Sequence, residues 1–227
     1  MISTLVFEEL AIAILINNHN PSILTLDFLQ YSGIVPSNWE LAESPILNSE
    51  MARIRFTNDT IISTQYDRIV FSQTIEDKIF EDVQIPKIVN KYIETLPNAD
   101  YQGVGINPNC FITFQDETEE LFRYYITTNL LSSGNWRFFG KEAVIATLEL
   151  GYTLEQGKFN LKIEDVRLRQ TDNKPKCGAL FYGNFPYEIV GKTSLEEQQY
   201  LYQVLDNCQT DLKTFRELVN QEFLGNK

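Results

Sequence analysis

The sequence predicts an α+β fold in which two similar β-α-β-β-β-α halves form one curved antiparallel sheet with long helices on a single face. Three observations predict it. Runs of alternating apolar and polar residues come in two groups of three. Each group follows a long apolar run and a short helical pattern, and precedes an amphipathic stretch of helical period. The two tryptophans each follow an asparagine, as Asn38-Trp39 and Asn135-Trp136, and stand at matching places in the two series.

In the first half, Leu5 to Ile16 reads as a buried strand, with a helix as the alternative because Ala and Leu also suit helices. Asn17-Asn18-His19-Asn20-Pro21 breaks the run. Thr25 can cap a short helix carrying Leu26, Phe28 and Leu29, which Gly33 and Pro36 end. Three strands follow, Ala52 to Thr57, Thr60 to Gln65 and Arg68 to Thr74, the first two joined by the turn signal Asn58-Asp59. Ile85, Ile88, Val89, Tyr92, Ile93 and Leu96 then share one helix face. Pro86 is tolerated in its first turn, and Pro97 ends it.

The second half repeats the order. Tyr101 to Phe114 is strand-like, broken at Asn107-Pro108. Asp116 to Leu131 reads as a helix, its acids gathered at the start, where the helix dipole favours them. Val144 to Leu150, the alternating Phe159, Leu161 and Ile163 beyond the Gln156-Gly157 turn, and Ala179 to Ile189 give three strands. Pro186 marks an edge or a bend in the last. The final helix opens on the capping box Ser194-Leu195-Glu196-Glu197. Its apolar stripe runs Leu201, Val204, Leu205, Cys208, Leu212, Phe215, Val219 and Phe223, and Gly225 stops it. The halves are 1–98 and 99–227 of a single integrated domain.

This element order resembles the helix-grip and TATA-binding-protein-like architectures, a resemblance of topology that carries no functional residue. The segment Tyr31-Ser32-Gly33-Ile34-Val35-Pro36 to Trp39 resembles a bacterial, cyanobacterial-like protein family without assigned chemistry, so it implies none.

Composition sets the function classes. The chain has 227 residues, 43% hydrophobic and 22% charged, the mix of a globular protein able to build its own core. Its net charge of −12 repels nucleic-acid phosphates and acidic membrane surfaces. That charge serves solubility first and would suit a basic partner. Cys110, Cys177 and Cys208 are odd in number and lack metal or redox spacing, so they read as reduced thiols of a cytoplasmic protein. Met1-Ile2-Ser3-Thr4 has no basic start, and the apolar run Leu10 to Ile16 is far shorter than the roughly 20 residues of a membrane span. Neither a secretion signal nor a membrane partner is expected.

The search for chemistry narrows further. His19 is the only histidine and lies in a polar turn, so it reads as a plain turn residue. Gly103-Val104-Gly105 lacks the third glycine and the helix of a dinucleotide fingerprint. Adjacent acids such as Glu8 and Glu9 point to opposite faces of a strand and make poor catalytic partners. No catalytic residue, metal or cofactor is expected. Trp136, Arg137, Phe138 and Phe139 combine the residue types enriched at binding hot spots, and Trp39 is their counterpart in the first half. The alternative is that these rings enter the core under a loop. Arg53 with Arg55, and Arg167 with Arg169, each place two cations on one strand face, usually a solvated one. The expected function is a non-catalytic protein-interaction module, such as an adaptor, assembly factor or complex subunit, with a homo- or hetero-oligomer compatible. The alternatives are a small-molecule binder with a pocket between sheet and C-terminal helix, and an enzyme whose carboxylates meet only in the fold.

Overall fold

A computed structural model describes residues 3–76, 78, 80–114, 123–168, 176–191 and 193–225. Among them the strands are β1 (Ser3–Asn17), β2 (Ile46–Leu47), β3 (Ala52–Arg55), β4 (Thr60–Thr64), β5 (Arg68–Thr74), β6 (Asp100–Phe114), β7 (Leu148–Leu154), β8 (Gly157–Leu168) and β9 (Lys176–Glu188). The described α-helices are α1 (Leu26–Tyr31), α2 (Ile85–Thr95) and α3 (Ser194–Glu217). The strands form one antiparallel sheet in the order β2-β3-β4-β5-β1-β6-β9-β8-β7. The protein is α+β, with an open sheet and a long C-terminal helix. Outward from the central β1–β6 pair the order is β5, β4, β3 on one side and β9, β8, β7 on the other, with β2 added outside β3.

β1 alternates between a buried face and a more open one, as a strand does. Leu10, Ile12, Ile14 and Ile16 are buried, while Ala11 and Ala13 alternate with them on the opposite face. From Leu10 to Ile16 both sets are apolar, so polarity gives no period-two signal there. β6 runs beside β1, with Ile106 opposite Ile12 and Val104 opposite Ile14.

α2 and α3 pack on the face that those isoleucines share. Phe71 of β5 meets Tyr92 of α2 edge to face at 5.4 Å. Glu8 of β1 pairs with Arg216, and Tyr187 of β9 reaches Asp211, both on α3. α2 buries Ile85, Ile88, Val89, Tyr92 and Ile93, and α3 buries Leu201, Val204, Leu205, Cys208, Leu212 and Phe215. Each such large side chain contributes about 1.5–3 kcal/mol of burial. α3 continues as a π-helical turn, Leu218–Phe223. The opposite face of the sheet is left open by both helices.

Several expectations are corrected. β6 is not broken at Asn107-Pro108; only its ladder to β9 lapses there, while pairing to β1 continues through Pro108 opposite Leu10. β7 begins at Leu148, not Val144, because Val144 and Ala146 keep the alternation without a ladder partner. The cap of α3 is Thr193, whose hydroxyl accepts from the Glu196 amide at 3.3 Å, one residue earlier than the Ser194 box. β2 was not foreseen. β9 is an interior strand, yet beyond Asn184 it pairs with β6 alone, so Pro186 sits on a local edge where a missing N–H leaves no bond unmade. The predicted helix start, 116–122, and Arg169 lie outside the described residues; 123–125 is helical and Ile126–Leu130 is a π-helical turn. His19 follows the turn at Asn18 but is not a plain turn residue. It is buried edge-on to Tyr92, with Nε2 3.4 Å from the phenol oxygen, and burial pushes its pKa down.

Candidate functional site

The aromatic loop is built from anchored turns. The Arg123 guanidinium pairs with half-buried Asp165 of β8 at 3.0 Å, and the Tyr125 hydroxyl donates to the Phe223 carbonyl. The hydroxyls of Thr127 and Thr128 donate back to the carbonyls of Arg123 at 2.7 Å and Tyr124 at 2.6 Å. Such back-bonding competes with the regular helix ladder and suits a π-helical turn. Residues 132–134, outside any helix or strand and extended at Gly134, then lead into a 3₁₀ turn, Asn135–Phe138.

Within that turn the four predicted residues divide. Arg137 faces inward: its Nη2 donates to the Leu131 carbonyl at 2.9 Å, and its guanidinium carbon lies 5.5 Å from the centre of the Trp136 ring. Trp136 is 38% exposed and folds back over Gly134, where a β-carbon would come within 2.6 Å of the indole. Phe138 and Phe139 are 84% and 91% exposed. Trp39 is half-buried, edge-on to Phe56 at 5.1 Å, with its carbonyl accepting from Gln30. It lies between α1 and β2 at one end of the sheet, whereas the 135–138 turn precedes β7 at the other. The structure therefore gathers Trp136, Arg137, Phe138 and Phe139 into one turn and leaves Trp39 apart.

The open face divides as well. On the first-half side Arg53 and Arg55 point outward, as the alternation predicts, and make exposed ion pairs with Glu43 and Asp59. On the second-half side an asparagine track crosses β6, β9 and β8. Asn184 donates to Asn107 at 2.6 Å, and Asn160 donates to Asn184 at 3.5 Å. Gly151 of β7 continues the row opposite Asn160. A depression of about 410 Å³ opens here, lined by Asn160, Lys162, Tyr182 and Asn184 among others. Beside it Glu9 accepts from Asn109 at 3.4 Å, and its burial raises its pKa. Glu8, its neighbour, points to the helices instead, so the two acids do stand on opposite faces.

A cleft of about 330 Å³ lies on the other side of the sheet, between α3, the tip of the β7–β8 hairpin and β9. At its floor Asp211 is 1% exposed. The Tyr187 hydroxyl lies 2.8 and 3.0 Å from its two carboxylate oxygens, and the Gln156 side chain also donates to it. Burial outweighs these bonds and raises the Asp211 pKa to about 6. Sequence reasoning missed this site, although a signal was present: Asp211 is an acid inside the apolar stripe of α3, between Cys208 and Leu212.

A pH dependence follows. A raised carboxylate binds its proton more tightly folded than unfolded, so its contribution is full at low pH and is lost as pH rises through about 6. Relative to Asp211→Asn, the wild type is expected to gain stability as pH falls from neutral toward the ordinary carboxylate range. Denaturant titration of both proteins across that range checks it; parallel pH profiles would refute it. His19 acts with the opposite sign in both proteins, losing stability as pH falls, and so cancels in the comparison.

No known protein family matches the chain, and no curated protein is significantly similar to it.

Proposed function

We propose that the protein is a non-catalytic interaction module that docks a protein partner against its open sheet face and aromatic loop. The observation that carries this reading is the adjacent pair Phe138 and Phe139, 84% and 91% exposed. Two neighbouring rings in water add nothing to folding, yet each offers about 1.5–3 kcal/mol when a partner covers it. Arg137 supports the reading as the residue that fixes the turn displaying them. The net charge of −12 favours a basic partner over nucleic acid, and a second copy of the chain is a further candidate. Buried thiols at Cys110, Cys177 and Cys208 suit a cytoplasmic setting.

We also infer that the halves 1–98 and 99–227 are copies of one β-α-β-β-β-α unit in a helix-grip or TATA-binding-protein-like arrangement. The mirrored strand order around β1 and β6 supports it. Superposing β1-β5-β4-β3 on β6-β9-β8-β7 tests it, and strands that fail to overlay in that order would end the idea.

The docking reading predicts a separation of binding from folding. Phe138→Ser with Phe139→Ser is expected to leave the melting temperature within about 2 °C of wild type. The same variant should lose the proteins that wild type captures from a lysate of its own cell. Recovery of identical proteins by both, or a large fall in melting temperature, would remove the aromatic loop from the proposal.

A further inference from the structure

The cleft beneath α3 has a chemistry that the docking reading does not use. Its floor is a carboxylate, Asp211, almost wholly withdrawn from water. No cationic side chain pairs with it among the described residues; its hydrogen-bond donors are Tyr187 and Gln156, both neutral. A buried carboxylate without a counter-charge is costly, and proteins ordinarily supply a cation or a metal. Asp211 retains acceptor sites beyond those two donors.

The cleft itself narrows the choice of ligand. At about 330 Å³ it stands at the small end of ligand sites. Its lining contains a single carboxylate among neutral amides and hydroxyls, too little negative charge for a tight calcium site. An anion would be repelled, and a wholly apolar ligand would leave the carboxylate unmatched. Tyr187 and Tyr200 line the walls, and aromatic walls favour an organic cation. Gln203 and Asn207 of α3 add neutral polar groups at the lining.

We propose that this cleft binds a small organic ammonium compound, with the Asp211 carboxylate as counter-charge and Tyr187 and Tyr200 as flanking walls. The site lies on the helix-covered side of the sheet and is independent of the open face and the aromatic loop.

Calorimetric titration above neutral pH tests it, with ethylammonium, butane-1,4-diammonium and phenethylammonium as probes and 2-phenylethanol as the uncharged counterpart of the last. At least one ammonium probe is expected to bind saturably, with 2-phenylethanol about tenfold weaker or more than phenethylammonium if that probe binds. Asp211→Asn is expected to abolish the binding while circular dichroism shows it folded. Should that variant fail to fold, Asn207→Trp decides, because it fills the cleft from an exposed position on α3 and leaves Asp211 in place. It too should lose the probe. The proposal is overturned if no ammonium probe saturates up to about 10 mM. Equal binding of phenethylammonium and 2-phenylethanol, or binding kept by a folded Asp211→Asn or by Asn207→Trp, overturns it as well.

Discussion

Gly178→Val is expected to prevent the chain from folding, and Gly178→Ala to cost more than about 3 kcal/mol. Gly178 lies in β9 between Thr113 of β6 and Val166 of β8, so it has a ladder on both sides. A β-carbon there would stand 2.1 Å from the Ile112 carbonyl oxygen and 3.0 Å from the ring of Phe111. The carbonyl belongs to a central strand and cannot withdraw without opening the sheet, and Phe111 is itself fully buried. Gly151 on β7 is the control. A β-carbon at that position meets only the Asn160 side chain, at 3.7 Å, an ordinary contact. Gly151→Ala should therefore melt within about 2 °C of wild type. Thermal denaturation followed by circular dichroism compares the two. If the alanine variants at Gly178 and Gly151 melt together, β6 and β9 do not approach so closely at Gly178.

That constraint was invisible in the sequence, and the reason is general. Local pattern reports what a residue does within its own strand, whereas Gly178 is required by the carbonyl of Ile112 on another strand, far away in sequence. The legible parts were the periodic ones. The face of α2 and the long stripe of α3 could be read directly, because helical spacing fixes which side is buried. The outward pair Arg53 and Arg55 followed from alternation alone. Boundaries were less legible where two residues compete for one role, as Thr193 and Ser194 do for the cap of α3. At the aromatic loop, residue type marked Trp136 to Phe139 as noteworthy but could not assign directions. Arg137 turns inward to a carbonyl and the two phenylalanines turn out, a division set by the 3₁₀ turn rather than by composition. His19 shows the reverse error, since a polar neighbourhood in sequence proved to be a buried place against Tyr92.

The ion pair of Glu8 and Arg216 joins the first strand to the last helix, 208 residues apart, and it predicts an asymmetric pair of variants. Arg216 donates to both carboxylate oxygens, at 2.7 and 2.6 Å. The Glu8 side chain is only 8% exposed, against 36% for Arg216. Removing the cation leaves a largely buried carboxylate without its counter-charge, in a small, partly open pocket beside Leu5, Cys110, Ile112 and Phe215. Removing the anion frees an arginine that can turn toward solvent. Arg216→Met is therefore expected to cost about 3 kcal/mol, below the upper end for buried pairs because water reaches the guanidinium. Glu8→Gln should cost about 1 kcal/mol, since the amide still accepts one hydrogen bond. Glu8→Leu combined with Arg216→Met should recover most of the loss, as apolar replacement of both partners avoids the stranded charge. Urea denaturation of the three variants measures the order. A cost for Arg216→Met below that of Glu8→Gln would mean that Glu8 has water access, and the clamp between β1 and α3 would then contribute little to holding the helix on the sheet.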